Sequence, residues 1–198
     1  MLGWNRFAAA AALVAALACG GPSTPPPPVL GQAPAFTLTE RGGREISLDD
    51  LLGRPWVADF VFTHCAGPCP LLSTRMAALQ RELGADTDVQ LVSFTVDPER
   101  DTPEVLKKYA ERYKADAEGW WFLTGPKQAL YTMIRDGFKL AIDDGSALED
   151  PEPGPGLITH SVRLVVVDPK GRVRAYIVGT EEGAVERVIE ILDALARE

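Results

Sequence analysis

From Trp56 to Phe62 the chain is apolar at every position but Asp59, a run whose length and continuity predict a strand buried on both faces. Val89 to Val96 repeats that character, and Trp120 to Leu123 predicts a third strand. Between the first two, Leu72, Met76, Leu79 and Leu83 recur at helical spacing. Pro70 suits that helix's first turn, where a missing N–H costs nothing, and Gly84 suits its end. Thr102-Pro103 predicts a capped helix start, with Val105, Tyr109 and Tyr113 on one face. A further helix is expected over Gln128 to Arg135, and an amphipathic one over Glu181 to Ala196. Two hairpins complete the pattern. Phe36 and Leu38 face Ile46 and Leu48 around Gly42-Gly43, and Val162 to Val167 pairs with Val173 to Val178 through Asp168-Pro169-Lys170-Gly171. Strands alternating with helices predict an α/β domain, with helices flanking a central sheet behind an N-terminal hairpin.

The remaining segments resist periodicity. Arg6 followed by the apolar run Phe7 to Ala18 reads as a secretion signal over residues 1–19. The run is shorter than the ~20 apolar residues of a comfortable membrane span. Ala16-Leu17-Ala18-Cys19-Gly20 is similar to a bacterial lipobox, which makes Cys19 the expected lipid attachment site. An ordinary cleaved signal and a short uncleaved anchor are the alternatives, and all three place the domain outside the cytoplasm. Residues 20–32, with Pro25 to Pro28 in succession, read as a stiff tether, leaving residues 33–198 as one folded domain. Asp143 to Gly156 is acidic, carries three prolines and three glycines, and predicts no regular structure. A loop of that length in a compact domain is usually functional or mobile, and this one leads into His160. The net charge of −8 argues against nucleic acid as a partner, which calls for a cationic surface.

With Cys19 assigned to lipid, the domain holds only Cys65 and Cys69. A disulfide closing so small a loop adds little stability, so the pair points to chemistry. Thr63-His64-Cys65-Ala66-Gly67-Pro68-Cys69-Pro70 leaves the end of a buried strand and enters a helix, where ligand sites of open α/β sheets lie. Cys69, at the helix start, gains from the dipole as a thiolate. The C-x-x-x-C spacing allows two thiolates to converge on one metal and also allows a plain disulfide. Soft thiolates with one imidazole suit copper, whereas structural zinc sites normally have four protein ligands and no fourth is evident. Of the two histidines, His64 adjoins Cys65 on the same turn, while His160 precedes a strand from which it can reach the sheet's end. Asp97 by itself reads as a turn former. The pairs Trp120-Trp121 and Tyr109 with Tyr113 read as core or rim.

The chain resembles the Sco/SenC family of copper chaperones. The likeness rests on Asp59-Phe60-Val61-Phe62-Thr63-His64-Cys65, on Cys69-Pro70, on Val92 to Pro103 with its Val-Asp-Pro-Glu-Arg-Asp-Thr-Pro block, and on Thr159-His160-Ser161, in the family's order from about Ala35 to the C-terminus. The resemblance implies a thioredoxin-like fold with a mixed sheet, and one copper per chain, Cu(I) or Cu(II), held by Cys65, Cys69 and His160. It makes Asp97 a supporting or docking residue. With the signal and lipobox already placing the chain in the bacterial cell envelope, membrane-anchored and facing the periplasm or the outside, the resemblance implies service to the CuA centre of cytochrome c oxidase subunit II. Delivery of copper without turnover is one expectation. Reduction of that centre's cysteines by Cys65 and Cys69, a thiol–disulfide reductase activity, is the other. Ala66 stands where the family commonly has proline, and Gly-Leu-Ile-Thr precedes His160 where it commonly has an acidic residue.

Overall fold

The computed structural model describes residues 25–65, 67–143 and 158–198. The first half runs β1 (Gly31–Gln32), β2 (Thr37–Glu40), β3 (Glu45–Ser47), β4 (Trp56–Val61), α1 (Cys69–Leu83), β5 (Gln90–Thr95) and α2 (Pro103–Arg112). The second runs β6 (Trp120–Thr124), α3 (Lys127–Thr132), β7 (Ile142–Asp143), β8 (Thr159–His160), β9 (Arg163–Val167), β10 (Arg172–Val178) and α4 (Ala184–Leu195). Eight strands form one sheet in the order β1-β10-β9-β4-β5-β6-β2-β3. β4, β5 and β6 are parallel, and the strands outside them pair antiparallel. The apolar runs occupy the middle: every residue of β4, β5 and β6 is buried.

Alternation along β4 divides the core in two. Phe60 stacks on Phe94, and both pack against Phe138 on one face. Asp59 faces the other way, toward α1 and α2, where Ser93 donates to its Oδ1 at 2.5 Å and Trp120 Nε1 donates to Ser93 Oγ at 2.9 Å. Ser73 of α1 bonds Tyr109 of α2 at 2.8 Å within this layer.

The expected elements differ from the observed ones mainly at their ends. α3 stops at Thr132, and Met133–Gly137 continues as a π-helical turn. A Cβ on Gly137 would overlap the Pro34 ring, so this turn packs as closely as it does only with glycine. α4 starts at Ala184 because Gly183 takes φ 74°, which leaves Glu181 outside. The buried stripe of α2 is Leu106, Tyr109 and Ala110, one position on from Val105. β7 and β8 form a two-stranded ribbon that sequence periodicity did not predict. Residues 144–157, most of the expected acidic loop, and the signal segment with Cys19 lie outside the described residues. No helix among the described residues is long and apolar enough to cross a membrane.

The proline segment packs at the sheet edge. Arg174 Nε donates to the Pro27 carbonyl at 3.1 Å and the Pro28 carbonyl at 3.3 Å. Its Nη1 reaches Asp168 at 2.9 Å, and Nη2 pairs with Glu198 at the C-terminus. This cluster lies where β10 begins, beside the N-terminal end of β4.

Candidate metal centre

At the opposite, C-terminal end of β4, the chain turns at Thr63 and His64 into the segment that carries both cysteines. Cys65 N donates to the Phe62 carbonyl at 3.3 Å, and Gly67 N donates to Cys65 Sγ at 3.3 Å. Pro68 is the N-cap residue, Cys69 opens α1, and Pro70 occupies the first turn as expected. Cys69 is fully buried and Cys65 half-buried; both are free thiols.

His160 comes from the far side of the sequence. It pairs with Ile142 in the β7–β8 ribbon, and Ser161 N donates to the Ala141 carbonyl at 3.0 Å, so the ribbon fixes its backbone. Its ring meets the Phe62 ring edge to face at 5.6 Å. Nδ1 lies 3.0 Å from the Ser161 carbonyl, which can only accept, so Nδ1 carries the hydrogen. That leaves the Nε2 lone pair aimed at Cys69 Sγ, 3.2 Å away. The ligand atoms of Cys65, Cys69 and His160 all lie within 4.8 Å of one another. A carbonyl that fixes the tautomer of a ligating histidine is the usual outer partner of a metal site.

Burial governs the electrostatics. It pushes the Cys69 thiol well above its ordinary value, with the adjacent Cys65 thiol adding to the effect. The helix start was expected to favour a Cys69 thiolate; here desolvation outweighs the dipole, and metal-free Cys69 holds its proton. Burial likewise lowers His160, partly offset by its bond to the Ser161 carbonyl, which keeps the imidazole neutral and available as a ligand. A metal bound at this trio would therefore displace a thiol proton.

Two sulfurs and one imidazole nitrogen converge from a strand end, a helix start and a ribbon, a donor set of the kind that suits a soft metal. The SCO1/SenC family pattern matches residues 28–197. The chain belongs to the SCO1/SenC family. A Stutzerimonas stutzeri protein named for copper binding is 34% identical over 146 residues, 73% of this chain and 68% of the relative. A SCO1/SenC family lipoprotein from Bacillus anthracis superposes with a TM-score of 0.73 at 31% identity, covering 84% of this chain and 95% of that one. BsSco, described as a member of the Sco family of cytochrome c oxidase assembly proteins and as carrying a disulfide switch, gives 0.70 at 32%, covering 84% and 94%. The α/β arrangement is accordingly the thioredoxin-like fold of the SCO1/SenC proteins.

Within this SCO1/SenC site the other candidates fall outside the trio. His64 is exposed, with Nδ1 3.0 Å from Thr63 Oγ1. Asp97 is buried, contrary to the solvated turn former its motif suggests, and its Oδ2 lies 3.5 Å from Arg100. The carboxylate that does reach the cysteine-bearing segment is Asp101, which accepts from Thr63 N, Thr63 Oγ1 and Thr95 Oγ1. Sequence reasoning passed over Asp101 because Thr102 beside it carries the helix-cap signal. The pair of threonines just past β4 and at the end of β5 was the available clue. Phe62 and the Ser161 carbonyl, which orient His160, left no such clue.

Proposed function

We propose that this protein is an extracytoplasmic copper chaperone that delivers one copper ion per chain to the CuA centre of cytochrome c oxidase, through subunit II, during its assembly. The observation that carries this reading is the Nε2 lone pair of His160, held free by the Ser161 carbonyl and facing the Cys69 sulfur beside Cys65. Two thiolates suffice for Cu(I), and the added imidazole creates the mixed sulfur and nitrogen field that suits Cu(II). Copper binding and oxidase assembly among the relatives support the same reading. Asp97, with Arg100 at its side, is assigned to contact with the partner. Cys19 is assigned to lipid, which would fix the domain to the bacterial envelope facing the periplasm or the outside; mass spectrometry of the membrane fraction should find diacylglycerol there.

The test is copper titration of the domain before and after reduction. One copper should be retained by the reduced form and little by the oxidised form, because a disulfide sulfur is a far poorer ligand. Equal affinity in both states would remove the thiols from the site. The second reading is a thiol–disulfide reductase acting on the cysteines of the same copper centre, favoured by the free thiols of Cys65 and Cys69 and by the disulfide switch named for BsSco. His160 separates the two, since copper coordination as Cu(II) needs its imidazole and thiol exchange does not.

A further inference from the structure

Cys65 is the least constrained member of the trio. Cys69 is held by α1 and His160 by the ribbon, whereas Cys65 lies in the turn itself: its N bonds the Phe62 carbonyl, and its Sγ accepts from Gly67 N as well as meeting the Cys69 thiol. Something else must hold this turn against the sheet, and the side-chain bonds lead to Asp101. Its carboxylate is fully buried. It accepts from Thr63 N at 3.1 Å, from Thr63 Oγ1 at 2.6 Å and from Thr95 Oγ1 at 2.6 Å. Thr63 lies two positions before Cys65, and Thr95 ends the neighbouring parallel strand β5. One carboxylate thus ties the start of the cysteine turn to the strand next to it. Asp101 N bonds the Asp97 carbonyl at 2.8 Å, which fixes the carboxylate at the entrance to α2.

We propose that Asp101 is the positioning residue for Cys65: by clamping Thr63 to Thr95 it sets the approach of Cys65 to Cys69 and His160, and hence the retention of three-ligand copper. The proposal deepens the copper reading and rests on it. Asp101 touches no ligand atom and acts through the backbone of the turn. Three-coordinate Cu(II) depends on the placement of all three donors, whereas Cu(I) can settle between two sulfurs and tolerates a looser turn.

The experiment compares wild type, Asp101→Asn and Thr95→Val. Asparagine keeps one acceptor oxygen but presents an NH2 in place of the other, so the Thr63 and Thr95 donors cannot all be satisfied. Thr95→Val removes one clamp bond from the far side, together with the bond Thr95 Oγ1 accepts from Asp97 N, but leaves both Thr63 bonds to Asp101 in place, and it carries the test should Asp101→Asn not fold. Cu(II) retention should fall about ten- to a hundredfold in Asp101→Asn and less in Thr95→Val, with Cu(I) retention changed far less. Without metal, alkylation of Cys65 should quicken in the same order while that of Cys69 stays as in wild type, because only the turn is loosened. Variants that melt earlier yet keep wild-type Cu(II) spectra and alkylation rates would reduce Asp101 to a structural residue and overturn the proposal. Loss of copper by the wild type itself would instead sink the chaperone reading, and the alkylation rates would still decide the role of Asp101.

Discussion

His160 Nε2 lies 3.2 Å from Cys69 Sγ although 91 positions separate the two residues. The β7–β8 ribbon makes this meeting possible by closing the chain on itself just before His160. Replacing the ring tests what the meeting is for. In His160→Ala, Cu(II) binding should drop at least about tenfold, with Cu(I) binding and exchange with a model disulfide largely kept. Absorbance, exchange kinetics and oxidase assembly are to be measured on one preparation. A variant that loses copper but still restores the oxidase would transfer the function to the reductase reading.

The two thiols should differ in reactivity. Cys69 is wholly buried and its proton is held by desolvation, while Cys65 is half-buried. Iodoacetamide should therefore label Cys65 faster by about an order of magnitude or more, and the difference should vanish in denaturant. Peptide mass spectrometry over a time course reads both rates. Equal rates in the folded protein would contradict the burial of Cys69.

Asp59 gives a pH signature of stability. Its Oδ1 accepts from Ser93, its Oδ2 has no hydrogen-bond partner, and burial raises its pKa from 3.8 to about 7. The folded state thus binds this proton more tightly than the unfolded chain. The stabilisation is complete below the unfolded value and is lost as pH rises toward about 7, at no more than about 1.4 kcal/mol per pH unit. Asp59→Asn lacks this titration, so it should gain on wild type by about 2 kcal/mol between about pH 5 and about pH 8 in urea denaturation. A pH-independent difference would mean that Asp59 ionises normally.

Arg174 and Asp168 form an ion pair at 2.9 Å with side chains 3% and 2% exposed. Arg174→Ala leaves Asp168 with Arg172 at 2.6 Å but removes its buried partner and the donor to the Pro27 and Pro28 carbonyls. The expected loss is about 3 kcal/mol, at the low end for breaking a buried pair because Arg172 remains. Thermal unfolding should show the drop while copper binding stays at its wild-type level. A loss of copper with the fold intact would mean that the two ends of the sheet are coupled.

The elements of this fold were legible wherever burial imposes a period. Trp56 to Phe62 gave away β4 because a strand covered on both faces has no polar alternation to confuse it. The convergence of Cys65, Cys69 and His160 was legible too, as residue types rare enough in this chain to have few alternatives. The β7–β8 ribbon was not, because two-residue strands contain no period at all and depend on partners across a long excursion. The protonation of Cys69 was misread for a related reason. The helix dipole is a local property visible in sequence, whereas desolvation is the sum of everything packed around the thiol. Asp101 was hidden in the same way: its three donors come from Thr63 and Thr95, on other elements.

The Arg174 cluster also determines how a mechanical pull would travel through the molecule. Tension on the proline segment enters at Pro27 and Pro28, passes to Arg174, and spreads along the β1–β10 edge, where Leu30 N bonds the Val173 carbonyl and Ala33 N bonds the Gly171 carbonyl, each at 2.8 Å. The cysteine turn lies at the other end of β4, about 16 Å along the strand, and two strands inward from β1's partner. A pull on Pro27 and Pro28 would thus be borne first by the β1–β10 edge, a strand's length away from Cys65, Cys69 and His160.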